Sequence, residues 1–356
     1  MKNCHDDMIG YHNDMVTLRD TDRNEMRDRR DANRKRLKEG LERDDEPALY
    51  DNKSQGSYAM RTMVQQPGKD YDVDDGVYFL KSDLVGPRGG NRSTAEVKEM
   101  VRKAVHSDSL KTAPTVRQNC VRVLYNEGYH VDLPVYRVLQ ETDLTGVTKE
   151  YYELAGSAWK QSDAQKVTKW FTSENRAKSP NTSNGGQLRR VTRLLKKYAR
   201  SRDSWKERIA TGFVISKLVI ECYQPNEERE DRSLYDAMVS IRDRLEYNLE
   251  VEHPVLEEML TSGPDDAKTR YLKEKLSEAI ATLEVLFDSE CTTKDARKAW
   301  DKVFNTDYFG NRPSDDDGKG SGGPRGSAAI LIKRGDEAHE AVEKRGGGTY
   351  ANETKY

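Results

Sequence analysis

Residues 71–80 (YDVDDGVYFL) constrain the fold most, because a strand-like alternation here contains three aspartates in four positions. Alternate side chains of a strand share a face, so Asp72 and Asp74 present two carboxylates together while Val73 faces the core. Carboxylates this close repel each other unless a cation lies between them, and Mg²⁺ prefers such oxygen ligands. The alternative interpretation is a hairpin turn at Asp75-Gly76 between two strand-like segments.

Two other segments have compatible chemistry. Gly56-Ser57 precedes YAMRTMV, where a helix beginning at the serine would offer donors to a phosphate; a plain turn is the alternative. Asp132 lies within the apolar segment YHVDLPVY, where a charge is costly unless it is paired or bound to metal. The alternative for Asp132 is the exposed face of an edge strand, which Pro134 would suit.

The remaining patterns predict an α+β fold. Residues 13–44 are typical of one long charged helix with a thin apolar stripe, ended by Glu46-Pro47. A capping box at Ser93–Glu96 opens a second helix to about residue 105, and residues 120–139 predict a hairpin. From about residue 150 to 305, apolar residues at helical spacing predict a helical lobe.

These patterns divide the chain into four parts. We expect a long N-terminal helix packing across both lobes (1–46), a catalytic core with a small sheet (47–150), a helical lobe (151–310) and a flexible C-terminal tail (311–356).

Composition excludes several classes of protein. The 356 residues are 35% hydrophobic and 34% charged, and no apolar run approaches the roughly 20 residues of a membrane span. A net charge of -2 disfavours a globally basic nucleic-acid binder. The N-terminus shows no secretory signal, and the four cysteines lack the spacing of a zinc site. We therefore expect a cytoplasmic protein with reduced thiols.

A Gly-Ser helix start, a DxD strand and a distant strand aspartate occur in the order used by DNA polymerase β-like nucleotidyltransferases. Two metal ions about 4 Å apart need carboxylates from adjacent strands, which explains that order. The longer strings QGSYAMRT, DYDVDDGVYF and GYHVDLPVYR resemble more specifically the bacterial cGAS/DncV-like nucleotidyltransferases, the cyclic-oligonucleotide synthases of anti-phage (CBASS) signalling. The resemblance covers residues 1–310.

The resemblance implies roles for individual residues. Gln55, Gly56 and Ser57 would bind the donor triphosphate. Asp72 and Asp74 would bind two Mg²⁺ ions, for which Mn²⁺ could substitute. Asp132 would ligate one ion and lie near the attacking 3′-hydroxyl.

A basic segment adds further candidates. Residues 188–208 hold nine Lys/Arg against two acids. Relatives place a lysine from such a helix on the triphosphate and a small hydroxyl residue on the next helix, so Lys196 or Lys197 and Thr211 or Ser216 are the candidates. A solvated helical face is the alternative for each basic residue.

The implied activity joins ATP, GTP, UTP or CTP into a cyclic di- or trinucleotide, which a separate effector protein reads in the bacterial cytoplasm. We expect no membrane and no requirement for long nucleic acid, and the resemblance allows a regulatory protein at the C-terminal tail. The alternatives are a template-independent transferase acting on RNA 3′ ends, a small molecule or a protein hydroxyl, and a catalytically silent nucleotide-binding protein.

Overall fold

The computed structural model describes residues 1–66, 68, 71–87, 89–125 and 128–313. Residues 1–310 form one compact unit. The expectations for residues 314–356, including a flexible tail with a regulatory partner, lie outside the described residues.

The predicted α+β class is confirmed by a mixed sheet followed by a set of helices. The strands within the described residues are β1 (Asp51–Gln55), β2 (Asp72–Leu80), β3 (Thr115–Val116), β4 (Val121–Leu124), β5 (His130–Leu133), β6 (Val135–Thr142), β7 (Thr148–Ala155) and β8 (Trp159–Gln161). They form one sheet in the order β3-β4-β5-β2-β6-β7-β8, and β1 pairs with β2 outside that path.

Helices precede, interrupt and follow this sheet. The α-helices among the described residues are α1 (His5–Tyr11), α2 (Asp20–Arg43), α3 (Gly56–Ala59), α4 (Thr94–Val105), α5 (Ala164–Lys178), α6 (Gln187–Ala199), α7 (Gly212–Cys222), α8 (Glu230–Tyr247), α9 (Ala267–Leu283) and α10 (Thr293–Phe304). None of the helices within the described ranges is both long and apolar enough to span a membrane.

The long N-terminal helix begins later than predicted. A short π-helix, His12–Val16, follows α1, and Thr17 is extended and forms a β-bridge with Val64. β-Branched residues at 16 and 17 favour such extended backbone. Helix α2 therefore starts at Asp20, and its buried residues Met26, Leu37 and Leu41 carry the predicted apolar stripe.

Helix α4 has the start and the end that the sequence predicts. Ser93 Oγ accepts a hydrogen bond from the Glu96 backbone N–H at 3.2 Å, and Glu96 accepts one from the Ser93 N–H at 2.7 Å. This capping box satisfies donors that the first helical turn would otherwise leave free. The helix ends at Val105, as expected.

Two cores support the two parts of the unit. One contains residues of β2, β4 and β5 together with α2 and α4. The other contains α6 to α10 with residues of α1. Residues 150–161, which the sequence analysis assigned to the helical lobe, instead form the end of β7, a short connection and β8. TKEYYELA does not alternate strictly between apolar and polar residues, so the sequence gives only a weak strand signal here.

Candidate active site

The predicted carboxylates meet on two neighbouring strands. β2 and β5 are parallel, and their register pairs Asp72 with His130 and Asp74 with Asp132. Val73 and Val131, between these pairs, are buried on the opposite face. Alternation of side chains therefore brings the three aspartates onto one face of the sheet, as the DxD spacing predicts.

The structure rejects two of the alternative interpretations. Asp75 and Gly76 lie inside β2, so this Asp-Gly pair is not a hairpin turn. β5 lies between β4 and β2, so Asp132 is not on an edge strand, and its side chain is buried. Pro134 instead separates β5 from β6, both of which are parallel to β2.

Gly56, the first residue of the Gly-Ser pair, lies directly against the carboxylate of Asp74. Gln55 pairs with Asp74 across the sheet, and Gly56 has φ +63°, a conformation that favours glycine. A Cβ at Gly56 would collide with Asp74 Oδ2. The chain then forms the single turn α3, in which Ser57 is the second residue. The side-chain amide of Gln55 donates to Tyr136 Oη at 3.0 Å, so part of this side chain is already engaged.

The grouped carboxylates repel each other. Burial raises the pKa of Asp74 well above its ordinary value, and the charges of Asp72 and Asp132 raise it further. One ligand atom from each of Asp72, His130 and Asp132 lies within 4.8 Å of the others, a spacing that suits a metal ion. Asp72 Oδ1 is buried and accepts no hydrogen bond from the residues that the structure describes. An oxygen-rich set with an unsatisfied carboxylate fits Mg²⁺ or Mn²⁺.

His130 is a candidate ligand that the sequence analysis did not select. Its Nε2 lies 3.4 Å from Asp72 Oδ1, and the side chain is half-buried. The signal was present in the sequence, because in HVD the histidine and Asp132 are two residues apart on one strand face.

Arg122 was also missed. Its Nε and Nη2 donate to the two oxygens of Asp132, each at 2.7 Å, and Nη2 lies 4.0 Å from Asp72 Oδ2. The paired carboxylate raises the pKa of this guanidinium. The sequence predicts the hairpin, and in the structure its two strands, β4 and β5, place Arg122 directly opposite Asp132. Side chains directly opposite each other on neighbouring strands are close enough to form such a pair.

Asp75 serves a different purpose from its neighbours. It is fully buried on the face opposite Asp74, where Arg34 of α2 donates to both of its oxygens at 2.7 and 2.5 Å. Ser54 Oγ donates to the same carboxylate at 3.1 Å. This ion pair joins α2 to the strand that carries Asp72 and Asp74.

Of the two candidate lysines, Lys196 reaches toward the carboxylates. It is buried, its Nζ donates to Thr62 Oγ1 at 3.2 Å, and its side chain passes Gly212. Burial lowers the pKa of Lys196 to about 7, and the negative charge of Asp74 opposes that shift. Lys197 Nζ donates instead to the backbone oxygen of Gln65 at 2.9 Å.

The candidate hydroxyl residues are engaged within α7. Thr211 Oγ1 caps the helix by accepting from the Val214 N–H at 3.4 Å. Ser216 is buried and donates to the Gly212 carbonyl at 2.8 Å. Their predicted role in substrate binding stays a prediction.

Residues 51–136, from β1 into β6, match the family model "Cyclic GMP-AMP synthase DncV-like, nucleotidyltransferase domain". The chain resembles the bacterial cGAS/DncV-like nucleotidyltransferases. This confirms the resemblance predicted from the motifs. The matched segment contains Gly56, Ser57 and all three predicted aspartate ligands.

A curated relative supports the same assignment. A cyclic GMP-AMP synthase from Escherichia albertii is 27% identical over 237 residues, which are 63% of this chain and 48% of that protein. The chain therefore spans about half the length of this relative.

Solved structures share the nucleotidyltransferase fold. The cyclic AMP-GMP synthase DncV from Vibrio cholerae is 16% identical, with a TM-score of 0.67 over 87% of this chain and 98% of that chain. DncV in complex with the linear intermediate 5′ pppA(3′,5′)pG has a TM-score of 0.62 at 17% identity, over 85% and 93%. The CdnC:HORMA-deltaN complex of E. coli MS115-1 has a TM-score of 0.60 at 16% identity, over 87% and 98%.

Proposed function

We propose that this protein joins ribonucleoside triphosphates into a cyclic di- or trinucleotide and releases pyrophosphate. The observation that carries the proposal is the parallel register that places Asp72, Asp74 and Asp132 side by side, next to Gly56 and Ser57. The match of this segment to a DncV-like domain supports nucleotidyl transfer over other uses of three carboxylates.

The proposed roles follow from the positions of the side chains. Asp72, Asp74 and Asp132 would hold Mg²⁺, with Mn²⁺ as a substitute and His130 as a further ligand. Such cations, when bound, neutralise the triphosphate and favour loss of the proton from the attacking hydroxyl. Gly56 and Ser57 would bind the donor triphosphate, and Lys196 would supply a positive charge from α6.

In the proposed reaction, the 3′-hydroxyl of one nucleotide attacks the α-phosphate of the other. A new phosphodiester bond forms, the bond to the β-phosphate breaks, and pyrophosphate leaves. A second transfer closes the ring. The DncV structure that contains a linear pppA(3′,5′)pG intermediate supports this order of two steps for that protein, and we extend the order to this chain.

The biological setting belongs to the same proposal. The product would be an anti-phage signal in the bacterial cytoplasm, read by a separate effector protein. The CdnC:HORMA-deltaN complex supports the proposal that a regulatory protein can bind a synthase of this fold.

The test uses purified full-length protein, Mg²⁺ and then Mn²⁺, and four radiolabelled ribonucleoside triphosphates. Products are treated with phosphatase and separated by chromatography. A phosphatase-resistant product is expected from the wild type and is expected to be lost in Asp74→Asn. The matched control is Asp83→Asn, since Asp83 is an exposed residue just after β2.

Other outcomes would favour the alternatives. Phosphatase-sensitive or tailing products would indicate a linear transferase acting on RNA ends or another acceptor. Nucleotide binding by calorimetry without pyrophosphate release, under both metals, would indicate a silent binding protein. Omitting one nucleotide at a time identifies the bases used.

A further inference from the structure

A basic depression lies beside α2 and shares no lining residue with the candidate active site. It has a volume of about 250 Å³ and is bounded by α2, the segment 109–111 and the end of β4. Arg29, Arg36 and Lys111 supply three positive charges, and no carboxylate lines it among the described residues. Ser109 adds a hydroxyl, and Leu110 and Leu124 form its apolar part.

Arg36 is the central observation. Its Nη2 donates to Asn33 Oδ1 at 2.5 Å and to Tyr125 Oη at 2.7 Å, both of which are neutral acceptors. Its Nε is buried and has no hydrogen-bond partner among the described residues. A half-buried guanidinium with an unsatisfied N–H and no ion pair among the described residues is unfavourable, and a bound anion would offset that cost.

Two arginines of this protein that are also buried or partly buried have carboxylate partners. Arg190 pairs with Glu230 at 2.8 Å, and Arg34 pairs with Asp75 at 2.5 Å. Within the part of the chain that the structure describes, Arg36 donates hydrogen bonds to the neutral groups of Asn33 and Tyr125. The guanidinium of Arg36 is therefore open to an ion pair with an anion from outside the described chain.

Tyr125 holds the basic groups in place. The guanidinium of Arg29 lies over the Tyr125 ring, 4.5 Å from its centroid. The hydroxyl of Tyr125 accepts from Arg36 and donates to Asn33 Oδ1 at 3.2 Å. Guanidinium groups fixed in advance lose little conformational entropy when a ligand binds.

A neighbouring depression of about 290 Å³ also contains Arg36, but its chemistry differs. Glu39 and Asp108 line it together with Arg43 and His106. Two carboxylates make that side unfavourable for an anion. The ligand is therefore expected on the side of Lys111 and Tyr125.

We propose that the depression formed by Arg29, Arg36, Lys111 and Tyr125 binds a small ligand through a phosphate group. Phosphate accepts several N–H donors at once and matches the geometry of guanidinium groups. Leu110 and Leu124 leave space for a small apolar group beside the phosphate. The ligand is therefore either a free ion, phosphate or pyrophosphate, or a mononucleotide. This inference does not depend on the proposed transferase activity.

A ligand bound in the depression would affect the candidate active site through strand β4. Tyr125 follows β4, and β4 carries Arg122, which binds Asp132. A ligand that fixes Tyr125 would restrict the hairpin that presents Asp132. The depression would then regulate the site without contacting its substrate.

The experiment is calorimetric titration of the full-length chain in EDTA with pyrophosphate, inorganic phosphate, AMP and adenosine. Titrations are repeated in Lys196→Met, so that binding near the carboxylates is separated from binding at the depression. We expect phosphate-bearing ligands to bind and adenosine not to bind. Arg36→Gln and Lys111→Gln should each weaken binding by about tenfold, the loss of one charge-assisted contact.

Arg43→Gln is the matched control, because Arg43 lies on the same helix and is paired with Asp44. It should bind like the wild type. AMP binding tighter than phosphate, and weakened by Leu124→Ala, would identify a mononucleotide as the source; equal binding would identify the free ion.

Three results would overturn the proposal. The first is unchanged affinity in Lys111→Gln, whose exposed side chain can be replaced without unfolding the protein. The second is an equal loss in Arg43→Gln. The third is short single-stranded RNA binding more tightly than every small ligand, with affinity lost in all three variants, which would indicate a nucleic-acid surface.

Discussion

Asp74 and Asp75 are neighbours in β2, yet their side chains leave the strand on opposite faces. Asp74 meets two further carboxylates, Asp72 and Asp132, and these charges help to raise its pKa. Asp75 meets Arg34 in a buried, bidentate ion pair. Asp74 therefore belongs to a group of negative charges that suits a cation, whereas the charge of Asp75 is neutralised by Arg34 within the fold.

Replacing Arg34 should destabilise the protein strongly. Arg34→Met would leave the fully buried Asp75 without its counter-charge, and we expect a loss of about 3–5 kcal/mol in the free energy of unfolding. Urea denaturation measures this loss. Arg43→Met, which breaks a solvent-exposed pair with Asp44, should change the free energy of unfolding far less. Equal losses in the two variants would contradict the conclusion that Arg34 stabilises the fold by pairing with the buried Asp75.

Lys196 should make stability depend on pH in a specific direction. Burial lowers its pKa from 10.5 to about 7, so between these values the folded protein binds fewer protons than the unfolded chain. Stability contributed by this residue therefore rises with pH across that window. The wild type should gain more stability from pH 7 to pH 10 than Lys196→Met.

The measurement is urea unfolding of both proteins at several pH values. Lys38→Met is the control, because Lys38 is an exposed lysine of α2. Its pH profile should follow the wild type. A parallel profile for Lys196→Met would show that Lys196 does not titrate in this range.

At the level of elements, the junction between β1 and α3 positions the candidate triphosphate site. Gly56 combines a positive φ with close approach of the Asp74 carboxylate. Gly146, in the turn between β6 and β7, has φ +83° but open space around it. Substitutions at these two glycines therefore distinguish the cost of a positive φ from the cost of a collision with a side chain.

Gly56→Ala should therefore cost more than Gly146→Ala. Positive φ alone costs an alanine about 1–2 kcal/mol, and Gly146→Ala should lose about that much with pyrophosphate release unchanged. Gly56→Ala adds the collision with Asp74, so we expect a larger loss of stability and loss of pyrophosphate release. Thermal unfolding and a pyrophosphate assay measure both effects. Wild-type turnover in Gly56→Ala would remove this junction from the active site.

The hairpin of β4 and β5 shows which elements local sequence determines. Its alternating apolar residues and its turn predict a hairpin, and the structure pairs β4 with β5 in antiparallel register, with Val121 opposite Leu133. Residues 150–161 were misassigned because strands β7 and β8 are half-exposed and weakly apolar. Their strand state comes from pairing with β6, and pairing between strands is a tertiary interaction.

At the level of the whole molecule, α6 connects the helical part of the chain to the segment after α3. Arg193 Nε donates to the Arg61 carbonyl at 2.8 Å, Lys196 to Thr62, and Lys197 to the Gln65 carbonyl. The basic residues of α6 thus fix residues 61–65, and Thr62 in turn donates its N–H to the Ser57 carbonyl at 2.9 Å.

Lys197→Met should loosen that connection. Loss of the contact with Gln65 should increase amide hydrogen exchange in residues 56–65, while β2 and β5 keep their protection. Hydrogen–deuterium exchange with mass spectrometry measures this difference. Lys217→Met, which removes an ion pair with Glu221 within α7, is the control and should leave residues 56–65 unchanged. Unchanged exchange in Lys197→Met would show that α6 does not hold this segment.

The sequence by itself determined the α+β class, the strand with paired carboxylates and the capped helix α4. These features depend on the periodicity of side chains and on backbone groups a few residues apart, which a linear pattern contains.

Only the tertiary structure decided which charges meet. The pairing of Arg34 with Asp75, the approach of Lys196 to Thr62, and the position of Arg36 beside Tyr125 join residues far apart in the chain. Side chains of the same type acquire different roles because burial and neighbouring charges set their electrostatic energies, and neither is known before the chain has folded.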